Sequence, residues 1–266
     1  MSMFDLLVLG VHPLMRHSNL WRALAVAAAV LVLTLSSLEP AVAASDIPSG
    51  SETVRVQLTL QQLKFYRGPI SGVDDQATAD AIMAFHKVVG ADRIRDWTEA
   101  DWENARALES VGFDIPRRPD EPNRIEVDLY RQVMYLVLGG HVQAVFPIVS
   151  GKGDTYERLG HATAGAHTPV GDFTLIRHVD GWRTAALGRI YHPWYFVGGY
   201  AIHGSKIAHP QPASHGCIRV PMADMDWLEG RLWLGIPVHV WVGSEAAAID
   251  TYVLEDHAAA LRFDVI

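Results

Sequence analysis

Ile125-Glu126-Val127-Asp128-Leu129, then Val133-Met134-Tyr135-Leu136-Val137-Leu138, then Gly139-Gly140 and the apolar stretch Val142 to Val149 decide the fold. The first piece alternates apolar and acidic residues with the period of two that a half-buried strand requires. The second is a short apolar run of strand length. The two glycines tolerate the positive φ of a tight hairpin turn. Further strands are expected at Gly171 to Arg177, Trp194 to Ile202 and Val238 to Val242, with one helix from Met222 to Leu232 opened by Pro221. Residues 123–243 therefore read as a predominantly β domain.

Outward from that domain the pattern changes. Pro116, Pro119 and Pro122, interleaved with Arg117, Arg118, Asp120 and Glu121, sustain neither a helix nor a central strand, so residues 113–122 read as an extended linker. Residues 53–112 carry helical stripes: Val56, Leu60 and Leu63, then Ala77, Ala81, Ile82 and Phe85. Gly68-Pro69 and Ser71-Gly72 break the chain between them, and Asp75 is placed as an N-cap. A third helix is expected from Thr98 to Leu108, where Thr98 with Asp101 resembles a capping box. The reading is two folded units, a small all-α one followed by a β one.

At the N-terminus, Arg16, His17 and Arg22 precede an apolar stretch from Ala23 to Leu38 and a small-x-small pattern, Ala41-Val42-Ala43. Residues 1–43 are expected to be an export signal, with Met15 as an alternative start. An uncleaved membrane anchor is the alternative, though a bilayer span needs about 20 apolar residues. Membrane association is expected only through that segment. Residues 244–266 mix alanines with acidic residues in a tail that can form a helix.

With 266 residues, 49% of them apolar, the chain can bury one sizeable core and a smaller one. A formal net charge of -8 and the lack of a basic run exclude a nucleic-acid binder, which needs clustered Lys and Arg against phosphates. Cys217 is the single cysteine, so no intramolecular disulfide can form. It is then either a small buried hydrophobe or a reactive thiol.

The residues around it favour reactivity. Ala201-Ile202-His203-Gly204-Ser205 is followed by Ser214-His215-Gly216-Cys217-Ile218-Arg219-Val220, placing two histidines, a serine and an arginine about the thiol. A thiol is mostly protonated at neutral pH, so a nucleophilic cysteine needs a neighbour that accepts its proton, and imidazole titrates in the right range. His203 ends an apolar strand, from which a loop can return the thiol to it. His215 is two residues from the thiol and can share its strand face, so spacing alone does not choose between them. Gly216 leaves room for a substrate carbonyl, and the backbone N–H groups there can stabilise an oxyanion. Arg219 can lower the thiol pKa and grip a carboxylate, or be a solvated strand arginine.

Ile202-His203-Gly204 with Ser214-His215-Gly216-Cys217-Ile218-Arg219 resembles the signature of the L,D-transpeptidase catalytic domain, also called the YkuD domain. Val127-Asp128-Leu129, Gln132-Val133-Met134-Tyr135, Phe146-Pro147-Ile148-Val149-Ser150-Gly151-Lys152 and Thr168-Pro169-Val170-Gly171-Asp172-Phe173 are similar to further landmarks of that family. The resemblance implies a mainly β catalytic domain, a YkuD-like β-sandwich with one or two short helices, beside the small all-α N-terminal domain. It implies that Cys217 attacks the carbonyl between the third residue and the terminal D-alanine of a peptidoglycan tetrapeptide stem. An amine of a second stem then takes the acyl group in a 3-3 cross-link, and no cofactor or metal is called for. His203 matches the general base, with the Gly204 carbonyl orienting it, and His215 is carried over beside it. Ser214 and His215 would line the donor site, and the amides of His215, Gly216 and Cys217 would form the oxyanion hole. Arg219, Tyr195, Gly199 and Tyr200 are placed as substrate-binding, the last three by neighbourhood.

Residues 54–108 resemble a small peptidoglycan-binding helical module through the turn Tyr66-Arg67-Gly68-Pro69-Ile70-Ser71-Gly72-Val73 and the helix end Ala84-Phe85-His86-Lys87; a structural spacer is the plainer reading. The Pro-rich loop His209-Pro210-Gln211-Pro212-Ala213 departs from the family pattern. Among rival readings, His203, His209, His215 and Cys217 supply zinc-type ligands, but no His-Glu-x-x-His motif accompanies them. A papain-like or sortase-like protease matches neither order nor motif, and a non-catalytic wall-binding protein would not need this whole set. His161, His167, His178 and His192 are assigned no role. A carboxypeptidase using water as acceptor is the alternative within the same chemistry.

Overall fold

Three helices come first in the computed structural model, which describes residues 49–157, 163–206 and 209–243; residues 1–43, expected to be an export signal, and the tail 244–266 lie outside the described residues. They are α1 (Ser49–Gln62), α2 (Gln76–Val89) and α3 (Glu99–Val111). Asp75 caps α2 by accepting the Thr78 amide at 2.8 Å, and Gly90 closes it in the left-handed conformation at φ 74°. Thr98 and Asp101 form the capping box of α3. Among the described residues no helix is long and apolar enough to cross a membrane.

The strands follow as β1 (Arg124–Asp128), β2 (Val133–Leu138), β3 (His141–Pro147), β4 (Thr155–Glu157), β5 (Thr163–Gly165) and β6 (Gly171–Thr174). Next come β7 (Arg177–His178), β8 (Trp182–Ala185), β9 (Gly188–Val197), β10 (Tyr200–Ser205) and β11 (Ile218–Pro221). A short helix α4 (Met222–Glu229) and β12 (Pro237–Trp241) complete the described chain. The first sheet runs β3-β2-β1-β12-β6 and the second β11-β10-β9-β7, with β8 also on β9 and β4-β5 as a separate ribbon. β1 pairs with β12, and β10 with β11, in parallel.

The two sheets share a core. Ile125, Val127, Met134, Leu136, Phe146, Val238 and Val240 of the first meet Trp194, Phe196, Ile202, Ile218 and Val220 of the second, with Met225 and Leu228 of α4. Alternate residues of the first sheet face the other way: Val133, Tyr135 and Val145 join Leu60, Phe65, Phe85 and Leu108 in a second cluster under the helices. β2 is thus apolar on both faces, which is why its sequence does not alternate. The fold is a mainly β domain with a small all-α N-terminal domain packed on its first sheet, and the described residues belong to one compact unit.

β1 alternates for a different reason. Its polar residues are buried too, under residues 113–122: Glu126 accepts from Arg124 Nε at 2.7 Å and Trp241 Nε1 at 3.1 Å, and lies 3.3 Å from Arg118 Nε. Arg124 in turn donates to the Pro116 carbonyl at 3.0 Å. Buried charges persist when paired in this way.

The expected strand from Trp194 to Ile202 is in fact two, because Gly198, at φ 48°, and Gly199 turn the chain between β9 and β10. The expected strand from Gly171 to Arg177 is also divided, with β6 in the first sheet and β7 in the second. The helix expected to reach Leu232 ends at Glu229. Gly139 and Gly140 turn the β2–β3 hairpin at φ 60° and 80°.

Candidate active site

Inward-pointing residues fix which way the polar ones face. Ile202 pairs with Ile218 and His203 with Arg219 across the β10–β11 ladder. Ile202, Ile218 and Val220 enter the core, so His203 and Arg219 lie on the opposite, outer face. Cys217, one residue before β11 and two before Arg219, extends that row. Tyr195, paired with Ala201 on β9, shares the same face, and the Arg177 guanidinium stacks 3.6 Å from its ring centroid. One sheet face therefore gathers Cys217, His203, Arg219, Tyr195 and Arg177.

His203 is buried, and its Nδ1 lies 3.0 Å from the Gly204 carbonyl oxygen. A carbonyl only accepts, so Nδ1 carries the hydrogen and Nε2 keeps a lone pair. Burial brings the imidazole pKa down to about 4, the Arg219 charge acts the same way, and the Gly204 bond opposes both. His203 is neutral at pH 7. Burial pushes the Cys217 thiol up, while the Ala201 amide and the Arg219 charge act against that. Both shifts favour the uncharged forms, a thiol and an imidazole. The thiol also approaches the Gly199 carbonyl at 3.9 Å.

The turn carrying the thiol is tied from within. Ser214, 1% exposed, accepts the Gly216 amide at 3.0 Å and donates to the Cys217 carbonyl at 2.6 Å. Thr168 donates to the Gly216 carbonyl at 2.8 Å and accepts the Gly151 amide at 2.9 Å. Gly216 sits at φ 125°; a Cβ there would lie 2.5 Å from the Tyr200 ring and 2.6 Å from the His167 carbonyl oxygen. Only glycine fits. The Ser150 carbonyl accepts the amides of Ala213 and Ser214, at 3.1 and 2.9 Å, and Val149 exchanges two backbone bonds with Arg219 at 3.0 Å each.

Two expectations change in detail. Ser214, expected to line the donor site, is buried with its hydroxyl committed to the turn, so it positions the thiol. Gly216, expected as an oxyanion donor, gives its N–H to Ser214 and is needed for its conformation instead. The Gly204 carbonyl faces His203 Nδ1, and a Cβ on Gly204 would meet Tyr191 at 2.8 Å. Tyr200 packs against Gly216, Gly199 faces the sulfur, and His215 stacks edge-on against Tyr156 with ring centroids 4.6 Å apart. Burial first, then the Arg219 and Lys152 charges, lower the His215 pKa.

Sequence reasoning gave no role to Thr168, Arg177 or Tyr156. Thr168 lay within a recognised landmark, and the other two become neighbours of the site only through strand pairing. Among the described residues, His203, His209, His215 and Cys217 do not converge on one point that could hold an ion; His178, His192 and Glu229 do come together. There Glu229 accepts the Trp194 indole N–H at 2.6 Å and contacts both histidines, tying α4 to β7 and β9.

Fold and site define a class: a β-sandwich that presents a cysteine and a neutral, carbonyl-anchored histidine on one sheet face. Residues 122–240 match the family model of the YkuD L,D-transpeptidase catalytic domain. The solved L,D-transpeptidase (residues 123-326) from Xylanimonas cellulosilytica is 33% identical, with a TM-score of 0.65, and the match covers 71% of this chain and 93% of that one. An L,D-transpeptidase from Stackebrandtia nassauensis is 20% identical at a TM-score of 0.44, over 72% of this chain and 91% of that one. No curated protein matches. On the family model and the Xylanimonas likeness, the chain belongs to the L,D-transpeptidase (YkuD) family.

Proposed function

We propose that this protein is an exported cysteine L,D-transpeptidase that remodels peptidoglycan cross-links. The observation that carries the reading is the outer face of β10 and β11, where His203, its free lone pair set by the Gly204 carbonyl, pairs with Arg219, two residues after the chain's sole thiol. In the proposed cycle His203 Nε2 takes the Cys217 proton as Sγ bonds to the stem carbonyl carbon. The oxyanion turns to the amides of Cys217 and His215, since that of Gly216 is committed. The carbon–nitrogen bond breaks, His203 returns the proton to the departing D-alanine amine, and a thioester remains. A second stem amine attacks that carbonyl, loses its proton to His203, and displaces the sulfur, which regains its hydrogen. Arg219 and Arg177 are cations suited to the carboxylates of the stem.

The helical layer is proposed as a peptidoglycan-binding module on the strength of its sequence resemblance, and export on the strength of residues 1–43. The test is intact-protein mass spectrometry with a carbapenem, wild type beside Cys217→Ala. A covalent adduct on wild type alone is expected; no adduct on folded wild type would overturn the acylation step. D-alanine release from a tetrapeptide stem, with and without an added amine, then separates amine transfer from hydrolysis.

A further inference from the structure

Lys87, at the end of α2, is 2% exposed, yet Nζ donates to two backbone carbonyls in the catalytic domain: Ile148 at 2.9 Å and His209 at 3.2 Å. Its charged neighbours are Asp80, which pairs instead with Arg95 at 2.9 Å, and the cations Arg93 and Arg95. Burial, aided by those arginines, brings its pKa down to about 7. A buried ammonium without a carboxylate at contact distance is costly, and an apolar side chain of similar volume would fill the space more cheaply. What a lysine adds is several donors on one atom, able to bind two separate segments at once.

Those segments are the two sides of the frame around Cys217. Ile148 precedes Val149, which brackets Arg219, and Ser150, whose carbonyl holds Ala213 and Ser214. His209 begins the Pro-rich loop that leads to Ser214. Arg93, beyond the end of α2, grips the same loop at the Pro210 carbonyl, 2.8 Å, and reaches the Tyr130 carbonyl at 3.0 Å. From Lys87 an unbroken series of hydrogen bonds and short chain links passes through Ile148 and Ser150 to Ser214 and the Cys217 carbonyl.

We infer that Lys87, supported by Arg93, is a positioning residue for acyl transfer: the helical domain is a bracket that sets the Cys217 turn through the Ile148 and His209 carbonyls. This rests on the acyl-transfer reading of the site and assigns the helical domain a task besides wall binding.

The test compares full-length wild type, Lys87→Met and Lys87→Arg. Methionine keeps the apolar packing and removes every donor; arginine restores donors. Expected for Lys87→Met is a fall in the carbapenem acylation rate constant of about tenfold, in line with displacement of a preorganised group. Noncovalent affinity should be little changed. Deuterium uptake should rise at residues 209–217, and Lys87→Arg should recover part of the rate. Arg93→Gln, which leaves the buried site intact, is expected to show the same effects more weakly and serves if Lys87→Met does not fold. A folded Lys87→Met, or failing that Arg93→Gln, with wild-type acylation and wild-type exchange overturns the inference. Iodoacetamide alkylation of Cys217 is followed in parallel. If wild type itself is not acylated, the functional reading fails, while the alkylation and exchange differences still decide the role of Lys87.

Discussion

On the outer face of the first sheet, Val133, Tyr135 and Val145 are sealed beneath three helices by Leu60, Phe65 and Phe85. On the outer face of the second, His203 and the Cys217 turn are held by a few directional bonds: a carbonyl on an imidazole, a serine across three residues, a threonine between two glycines. Hydrophobic burial is non-directional and spreads its contribution over many contacts. Directional bonds localise it, so the second face holds one geometry and loses it to single substitutions.

The sharpest way to break this contrast is at Gly216. Gly216→Ala puts a methyl onto the Tyr200 ring and the His167 carbonyl at a φ that side chains avoid. A fall of about a hundredfold or more in carbapenem acylation is expected, the scale of a misplaced reacting group. Near wild-type kinetics would mean the turn is softer than its packing implies. Next comes Ser214→Ala, which strands the Gly216 amide and the Cys217 carbonyl; chemical denaturation should register about 1–3 kcal/mol, and acylation should slow more than that loss of folded protein explains.

The smallest effect is a pH dependence. With His203 neutral down to about 4, the acid limb of acylation should lie well below the ordinary imidazole value of 6.5. The sign for stability follows from linkage. The unfolded chain binds a proton at this position below pH 6.5 and the folded one only near pH 4, so stability from His203 is present above 6.5 and is lost as pH falls through that window. A His203→Gln variant should lack this part of the acid slope. A limb at 6.5 would point instead to an exposed histidine as the base.

The same contrast explains what was legible in the sequence. The β2–β3 hairpin declared itself through Gly139-Gly140, and the helix caps through Asp75 and Thr98, because these are local rules. The turn at Gly198-Gly199 was lost inside an apolar run, since the flanking strands are both core strands and periodicity does not mark where one ends. At the site, Cys217, His203 and Gly204 stand out by residue type and order, which suffice to name them as candidates. The bonds of Ser214 and Gly216 within their own turn are not legible, because where a hydroxyl or an amide points depends on backbone geometry. Arg177 carries no local mark and Lys87 is marked only as the end of a helix; strand pairing brings one to the site, and packing of α2 against β3 brings the other.

β12 lies in the interior of the first sheet, parallel to β1 on one side and antiparallel to β6 on the other. Its partner β1 comes more than a hundred residues earlier in the chain. Strand pairing of that separation closes a long loop and is slow. Until Pro237–Trp241 arrives, the first sheet is divided between β1 and β6, and each half has an unpaired edge. Closure of the first sheet therefore waits on the last described strand, whereas β9, β10 and β11 of the second sheet pair with near neighbours in the chain.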